Sequence, residues 1–162
     1  MDGLWWLSSE AHTARLAAAV GGTCPWQQAG PRLLFLSGEL GAGKTTLAAA
    51  LLESLGAQET VRSPSYALIE TYSLPAGLAV HLDCYRLGDA RELEQLGLRD
   101  YFTDRTLWLV EWPERVAGAL PVPDLALRLE LAGEGRSCRI EARTSIGQGW
   151  LALVRQQLPS QS

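Results

Sequence analysis

The chain has no asparagine and only one lysine, Lys44; every other cationic side chain is an arginine. Its three cysteines, Cys24, Cys84 and Cys138, stand far apart, with no CxxC pair among them. Such spacing offers neither zinc ligands nor a disulfide framework, and suits reduced thiols acting as small buried hydrophobes in a cytoplasmic protein. A cationic surplus is also missing, since the formal charge is −4. That argues against broad electrostatic attachment to nucleic acid, so any link to nucleic acid is expected to run through a partner. There is no secretory or membrane-spanning segment to be read at the amino end. The stretch MDGLWWLSSEAHTARLAAAV has no basic start, and Glu10, His12 and Arg15 interrupt its apolar pattern. Disorder is excluded by a 47% apolar content. At 162 residues the chain is expected to form one domain over residues 1–158, followed by a short polar tail at 159–162.

What is present is a sharp local pattern. Gly38-Glu39-Leu40-Gly41-Ala42-Gly43-Lys44-Thr45 fits GxxxxGK[ST] at each fixed position. Glycines let the backbone curl so that several N–H groups point at phosphate oxygens, and a following helix presents its positive end. Lys44 is expected to reach the β and γ phosphates and the Thr45 hydroxyl to ligate magnesium, with Thr46 completing the loop. The context agrees. Arg32 to Ser37 (RLLFLS) reads as a buried parallel strand, and Thr45 to Leu55 reads as a helix closed by Gly56.

Elsewhere, Ser8 or Ser9 opens an amphipathic helix running through Val20. Tyr66 to Tyr72 and Leu78 to Cys84 read as antiparallel strands around the short SLPAG turn. Asp89 to Leu96 reads as a short helix and Thr106 to Glu111 as a buried strand. Leu125 to Leu131 and Cys138 to Arg143 form a hairpin, and Ile146 to Leu158 a closing helix. The expected fold is therefore α/β, a P-loop NTPase-like three-layer sandwich with a mixed, mostly parallel sheet and antiparallel hairpins. In such sheets ligands sit beyond the carboxyl ends of the strands.

Guanine recognition by an NKxD segment is impossible without asparagine, so exclusion favours ATP. A magnesium site needs an acidic residue at a strand end, and two compete: Asp83 in HLDCYRL and Glu111 closing TLWLVE. Glu111 could instead orient the attacking water. Ser63-Pro64-Ser65-Tyr66 lies where many P-loop proteins keep a segment that senses the γ-phosphate. Alternation sends Trp108 into the core with Val110, while Trp112, just past the strand, is freer to pack near nucleotide or a partner.

Taken in order, GELGAGKTT, SPSYALIETY, HLDCYRL, ELEQLGLRDYF and LVEWPER closely resemble the TsaE family, formerly YjeE, from about Thr13 to Arg143. These are small bacterial P-loop ATPases needed for threonylcarbamoyl modification of adenosine in tRNA. The resemblance implies a bacterial, cytoplasmic ATPase that uses ATP and Mg2+ and docks on a TsaB–TsaD heterodimer, touching tRNA only through that complex. It implies a catalytic set of Lys44, Asp83 and Glu111, with Thr45, Asp83 and Glu111 around the metal. Nucleotide contacts are implied for Glu39, Leu40, Gly41, Ala42, Gly43, Lys44, Thr45, Thr46 and Trp112. The same is implied for Thr13 near the adenine and for Arg136. Ser63, Ser65 and Tyr66 would form the switch-like segment. Two departures from the family pattern, SPSYAL for SPTYTL and HLDCYR for HFDLYR, leave the phosphate loop untouched.

No arginine finger stands out, and Arg62 and Arg86 read as surface residues. Slow hydrolysis alone and acceleration in complex are expected. Two rivals remain. A small-molecule kinase would need a second substrate pocket and an arginine-bearing lid; a nucleotide-gated binding module would bind ATP without turning it over.

Overall fold

A computed structural model describes residues 1–61, 64 and 68–161 of the chain. Its centre is the run of short apolar segments read above. β2 (Arg32–Ser37), β5 (Thr106–Glu111), β4 (Leu78–Asp83) and β6 (Leu125–Ala132) lie side by side in parallel, in the order β6-β2-β5-β4. Antiparallel neighbours flank this core. β3 (Ile69–Ser73) pairs with β4, β7 (Gly135–Ala142) with β6, and β1 (Asp2–Leu7) with β7. Three parallel and three antiparallel junctions make the described sheet evenly mixed around a parallel centre.

Strand β1 went unread in the sequence, where Trp5 and Trp6 had no assigned place. Its alternation is visible in retrospect: Trp5 and Leu7 are buried, whereas Trp6 is 51% exposed. The Trp5 indole donates to the Leu158 carbonyl at 2.9 Å, so β1 is tied to the C-terminal helix. Gln161, in the polar tail, donates its backbone N–H to the Leu4 carbonyl at 2.8 Å.

Alternation along the parallel strands divides the core in two. Leu34, Leu36, Leu107, Leu109 and Leu127 face helices α1 (Glu10–Gly22), α2 (Lys44–Ser54) and α4 (Ser145–Gln157). Leu33, Val80, Leu82, Trp108 and Val110 face the other way, onto α3 (Ala90–Glu94) and the 3-10 turns at Leu98–Tyr101 and Pro113–Val116. Helices above and below the sheet give the three layers expected. The second cover is partial, leaving Trp6, Arg128 and Arg139 exposed on strands β1, β6 and β7.

Helix starts follow local chemistry. Ser9 caps α1 by accepting the His12 N–H at 3.3 Å, Asp89 caps α3, and Thr144 caps α4 by accepting the Gly147 N–H at 2.9 Å. The Trp150 indole donates to the Val20 carbonyl at 3.0 Å and locks α4 against α1.

Asp124 joins the start of the parallel core to the last helix. Its Oδ2 accepts the Leu33 N–H at 2.9 Å and its Oδ1 accepts the Thr144 hydroxyl at 2.7 Å, with only 7% of the residue exposed. Asp124→Ala would strand a buried N–H and loosen the α4 cap. The expected loss is about 2–4 kcal/mol of unfolding free energy, readable from urea titration of the two proteins.

Candidate functional site

Strand β2 ends at Ser37, and the chain must then turn without leaving the sheet. Gly38 makes that turn at φ 142°, where a Cβ would collide with the Leu129 carbonyl. Gly43 closes the loop at φ 101° and stands at the N-cap of α2 without any side-chain cap. The first-turn amides of α2 are thus left to an external acceptor, the arrangement that binds phosphate. A side chain at Gly43 would also press on the Arg136 guanidinium, 3.1 Å from the position a Cβ would take.

Lys44 opens α2 and is only 5% exposed. Its Nζ donates to the Gly38 carbonyl at 2.7 Å and the Glu39 carbonyl at 3.0 Å, and lies 4.2 Å from the centroid of a Trp112 ring. Burial pulls its pKa down, and the charges of Glu111, Glu114 and Asp83 partly restore it. The ammonium is held within the loop against the loop's own carbonyls. Trp112 reaches it because its backbone is left-handed, φ 56°, an uncommon state for a non-glycine residue. Tyr85 packs on the same indole with ring centroids 4.9 Å apart.

Asp83 and Glu111 end adjacent parallel strands and face one another in register. Both are buried, at 6% and 2% exposure. Glu111 Oε1 accepts the Thr45 hydroxyl at 3.0 Å, while its Oε2 lies 2.6 Å from His81 Nε2. Asp83 Oδ1 accepts the Tyr85 N–H at 2.9 Å. Burial raises the Asp83 pKa; the Tyr85 amide opposes this, the Glu111 charge adds to it, and His81 and Lys44 oppose it.

A cavity of about 450 Å³ gathers Lys44, Thr45, Asp83, Glu111, Trp112 and Arg136, together with Gly41, Gly43 and Thr46. Leu40, 74% exposed, stands at its rim and separates it from a groove of about 800 Å³ that Glu39 also lines. Ala42 is wholly buried beneath the loop, its N–H donated to the Glu39 carbonyl at 3.0 Å. Thr13 lines neither space. It is buried in α1, with its hydroxyl toward the Ser9 carbonyl at 3.4 Å. Ser63, Ser65 and Tyr66, like Arg62, lie outside the described residues.

Three neighbours went unassigned in the sequence. Arg86, taken for a surface residue, is exposed yet lines the cavity. Tyr85 supports Trp112, and His81 touches Glu111. The signal for His81 was the period of a strand, which puts residues two apart on one face. Cys84 and Cys138 are buried as expected and Cys24 only partly so, and burial pushes all three thiols up to about 12.

Magnesium suits this donor set. No group of three or more His, Cys, Asp or Glu among the described residues forms a protein-only cage. Two buried carboxylates and a hydroxyl beside a phosphate loop are hard oxygen donors of the kind that share Mg2+ with a nucleotide. No helix among the described residues is long and apolar enough to cross a membrane.

The family described as "Threonylcarbamoyl adenosine biosynthesis protein TsaE" matches residues 7–140. The tRNA threonylcarbamoyladenosine biosynthesis protein TsaE of Haemophilus influenzae is 40% identical over 116 residues, covering 72% of this chain and 73% of the relative. The protein of the same name from Rickettsia bellii is 32% identical over 136 residues, 83% and 91% of the two chains. The crystal structure of YdiB from Bacillus subtilis superimposes with a TM-score of 0.75 at 26% identity, covering 97% of this chain and 94% of that one.

The raised Asp83 pKa makes a stability prediction. The folded state holds the carboxyl proton more tightly than the unfolded chain does. That contribution to stability is complete below the ordinary value of 3.8 and is lost as pH rises through the folded value. Asp83→Asn is therefore expected to raise the Tm of the nucleotide-free protein at neutral pH by about 2–4 °C. The gain should shrink to nothing below pH 3.8, as followed by thermal unfolding of both proteins across pH.

Proposed function

This chain belongs to the TsaE family of threonylcarbamoyl adenosine biosynthesis, and on that premise we propose that it is an ATP-binding, slowly hydrolysing subunit acting on a TsaB–TsaD complex. The observation that carries the ATPase reading is the Thr45–Glu111 hydrogen bond set directly beside Lys44 and the open amides of α2.

Each residue then has a physical task. The loop amides and the positive end of α2 receive the β and γ phosphates. Lys44 exchanges the Gly38 and Glu39 carbonyls for phosphate oxygens, a stronger charge-assisted contact. Thr45 and Glu111 hold Mg2+, which when bound neutralises phosphate charge. Asp83, its Oδ1 fixed by the Tyr85 amide, accepts a hydrogen bond from the attacking water. Its raised pKa makes it a better base than an ordinary aspartate. Arg136 contributes positive charge from β7; its Nε is buried and has no partner among the described residues. The cavity stays open at the Leu40 rim, so a partner covering that rim would exclude water and strengthen these interactions.

A kinase is less well supported. An apolar cavity of about 380 Å³, walled by Leu93, Leu98, Phe102 and Trp108, does exist. It shares no lining residue with the phosphate cavity, so a substrate held there would not meet the γ-phosphate.

Hydrolysis of ATP, followed as ADP release, is the decisive measurement. The protein alone should turn over slowly and gain with a TsaB–TsaD pair, by as much as the roughly 10³–10⁵-fold that charge supplied in trans can give. Lys44→Ala should abolish both rates. Turnover indifferent to the pair would sink the assigned partner, and intact ATP in every mixture would favour a nucleotide-gated binding module.

A further inference from the structure

His81 lies in the middle of β4, wholly buried, and chain alternation places it on the α2 face together with Asp83. Across the sheet it is level with Leu109 of β5 and Glu70 of β3, so it sits one pleat below the acidic pair. Its Nε2 lies 2.6 Å from Glu111 Oε2. Its other nitrogen, Nδ1, is buried and has no partner among the described residues. A histidine that served packing alone would be poorly chosen here, because an apolar side chain would fill the same space without burying an unpartnered nitrogen. The one polar contact the ring does make is with a carboxylate of the site.

We propose that His81 is a positioning residue for Glu111: by holding Oε2, it turns the carboxylate so that a single oxygen, Oε1, is presented to Thr45 and the cation. A glutamate has three side-chain torsions, and Asp83 stands beside it in register as a competing neighbour of like charge. Without the imidazole the carboxylate would lose its anchor and could swing toward Lys44, whose charge already acts on it. With the anchor, the Thr45 hydroxyl and Oε1 stay 3.0 Å apart before any ligand arrives. The geometry is that of an outer partner orienting a metal-binding carboxylate, a contact whose loss typically costs about 10–100-fold in metal affinity or activity.

This inference rests on the cavity being the Mg2+–nucleotide site, and the experiment separates the two. Manganese(II), observed by electron paramagnetic resonance, is titrated into the full chain saturated with ADP. ADP binding without metal is measured in parallel. His81→Leu is expected to weaken Mn2+ binding about 10–100-fold and leave metal-free ADP binding as in the wild type. His81→Gln, whose amide nitrogen takes the place of Nε2, should recover most of the loss. Wild-type Mn2+ affinity in His81→Leu, or no recovery in a folded His81→Gln, would overturn the role given to His81. Should the leucine variant fail to fold, His81→Asn takes its place, since its shorter amide cannot reach Oε2. Gln near the wild type with Asn weakened supports the proposal, and equal behaviour of the two overturns it. A wild-type protein that binds neither ADP nor Mn2+ with ADP would instead remove the nucleotide-site reading itself.

Discussion

Two carboxylates buried side by side repel each other and resist losing water, and most of the site's architecture offsets that cost. Asp83 and Glu111 are brought together because parallel strands β4 and β5 end level with one another. A tyrosine amide takes one oxygen of Asp83, and a threonine hydroxyl and an imidazole take both oxygens of Glu111. The only lysine in the chain stands over them, sandwiched between loop carbonyls and an indole. Each polar atom so engaged is fixed before ligand binding, which lowers the ordering entropy left to be lost when a nucleotide arrives. The burden falls on stability and the benefit on function, the usual division at a charged site.

The parallel core was legible because its strands advertise themselves twice. RLLFLS and TLWLVE are apolar on both faces, as strands covered by helices must be, and both begin and end where they were expected. The loop between β2 and α2 was legible because its backbone demands glycine at Gly38 and Gly43 for reasons of collision and dihedral angle. Lys44, Thr45, Asp83 and Glu111 could be named, since a motif or a strand end marks each of them. Boundaries were less secure at the edges. β3 runs one residue past Tyr72, to Ser73, while its expected start at Tyr66 lies outside the described residues, and β7 begins at Gly135, three residues before Cys138. A hairpin strand continues wherever ladder hydrogen bonds can form, and the side-chain pattern alone does not set that limit.

What escaped the sequence has a common cause: it depends on contacts between segments far apart in the chain. β1 opens with Asp2 and Gly3, which are poor strand formers, so its pairing with β7 is knowable only from the folded sheet. Arg86 follows a strand end, where an exposed arginine is unremarkable, and only the curl of the chain after Cys84 brings it to the cavity that Lys44 and Glu111 line. His81 carried a usable signal, but its meaning requires the register that sets β4 beside β5. Comparison with relatives fixes the family through residues 7–140 without assigning these three contacts.

The position of β1 also sets an order of events for a chain made from its amino end. Among the described residues, residues 2 to 7 pair with residues 136 to 141 and, at Leu4, with Gln161, so a long stretch of chain must exist before this strand can join the sheet. The α1–α2 pair and the β3–β4 hairpin can form much earlier, from contacts closer in sequence. Until then the amino-terminal segment, with two adjacent tryptophans, waits as an unpaired apolar ribbon. Contacts so distant in sequence are slow to form, and such ribbons are where aggregation competes with folding. β1 thus closes the sheet at the edge opposite β3 and β4, by a pairing that spans most of the sequence.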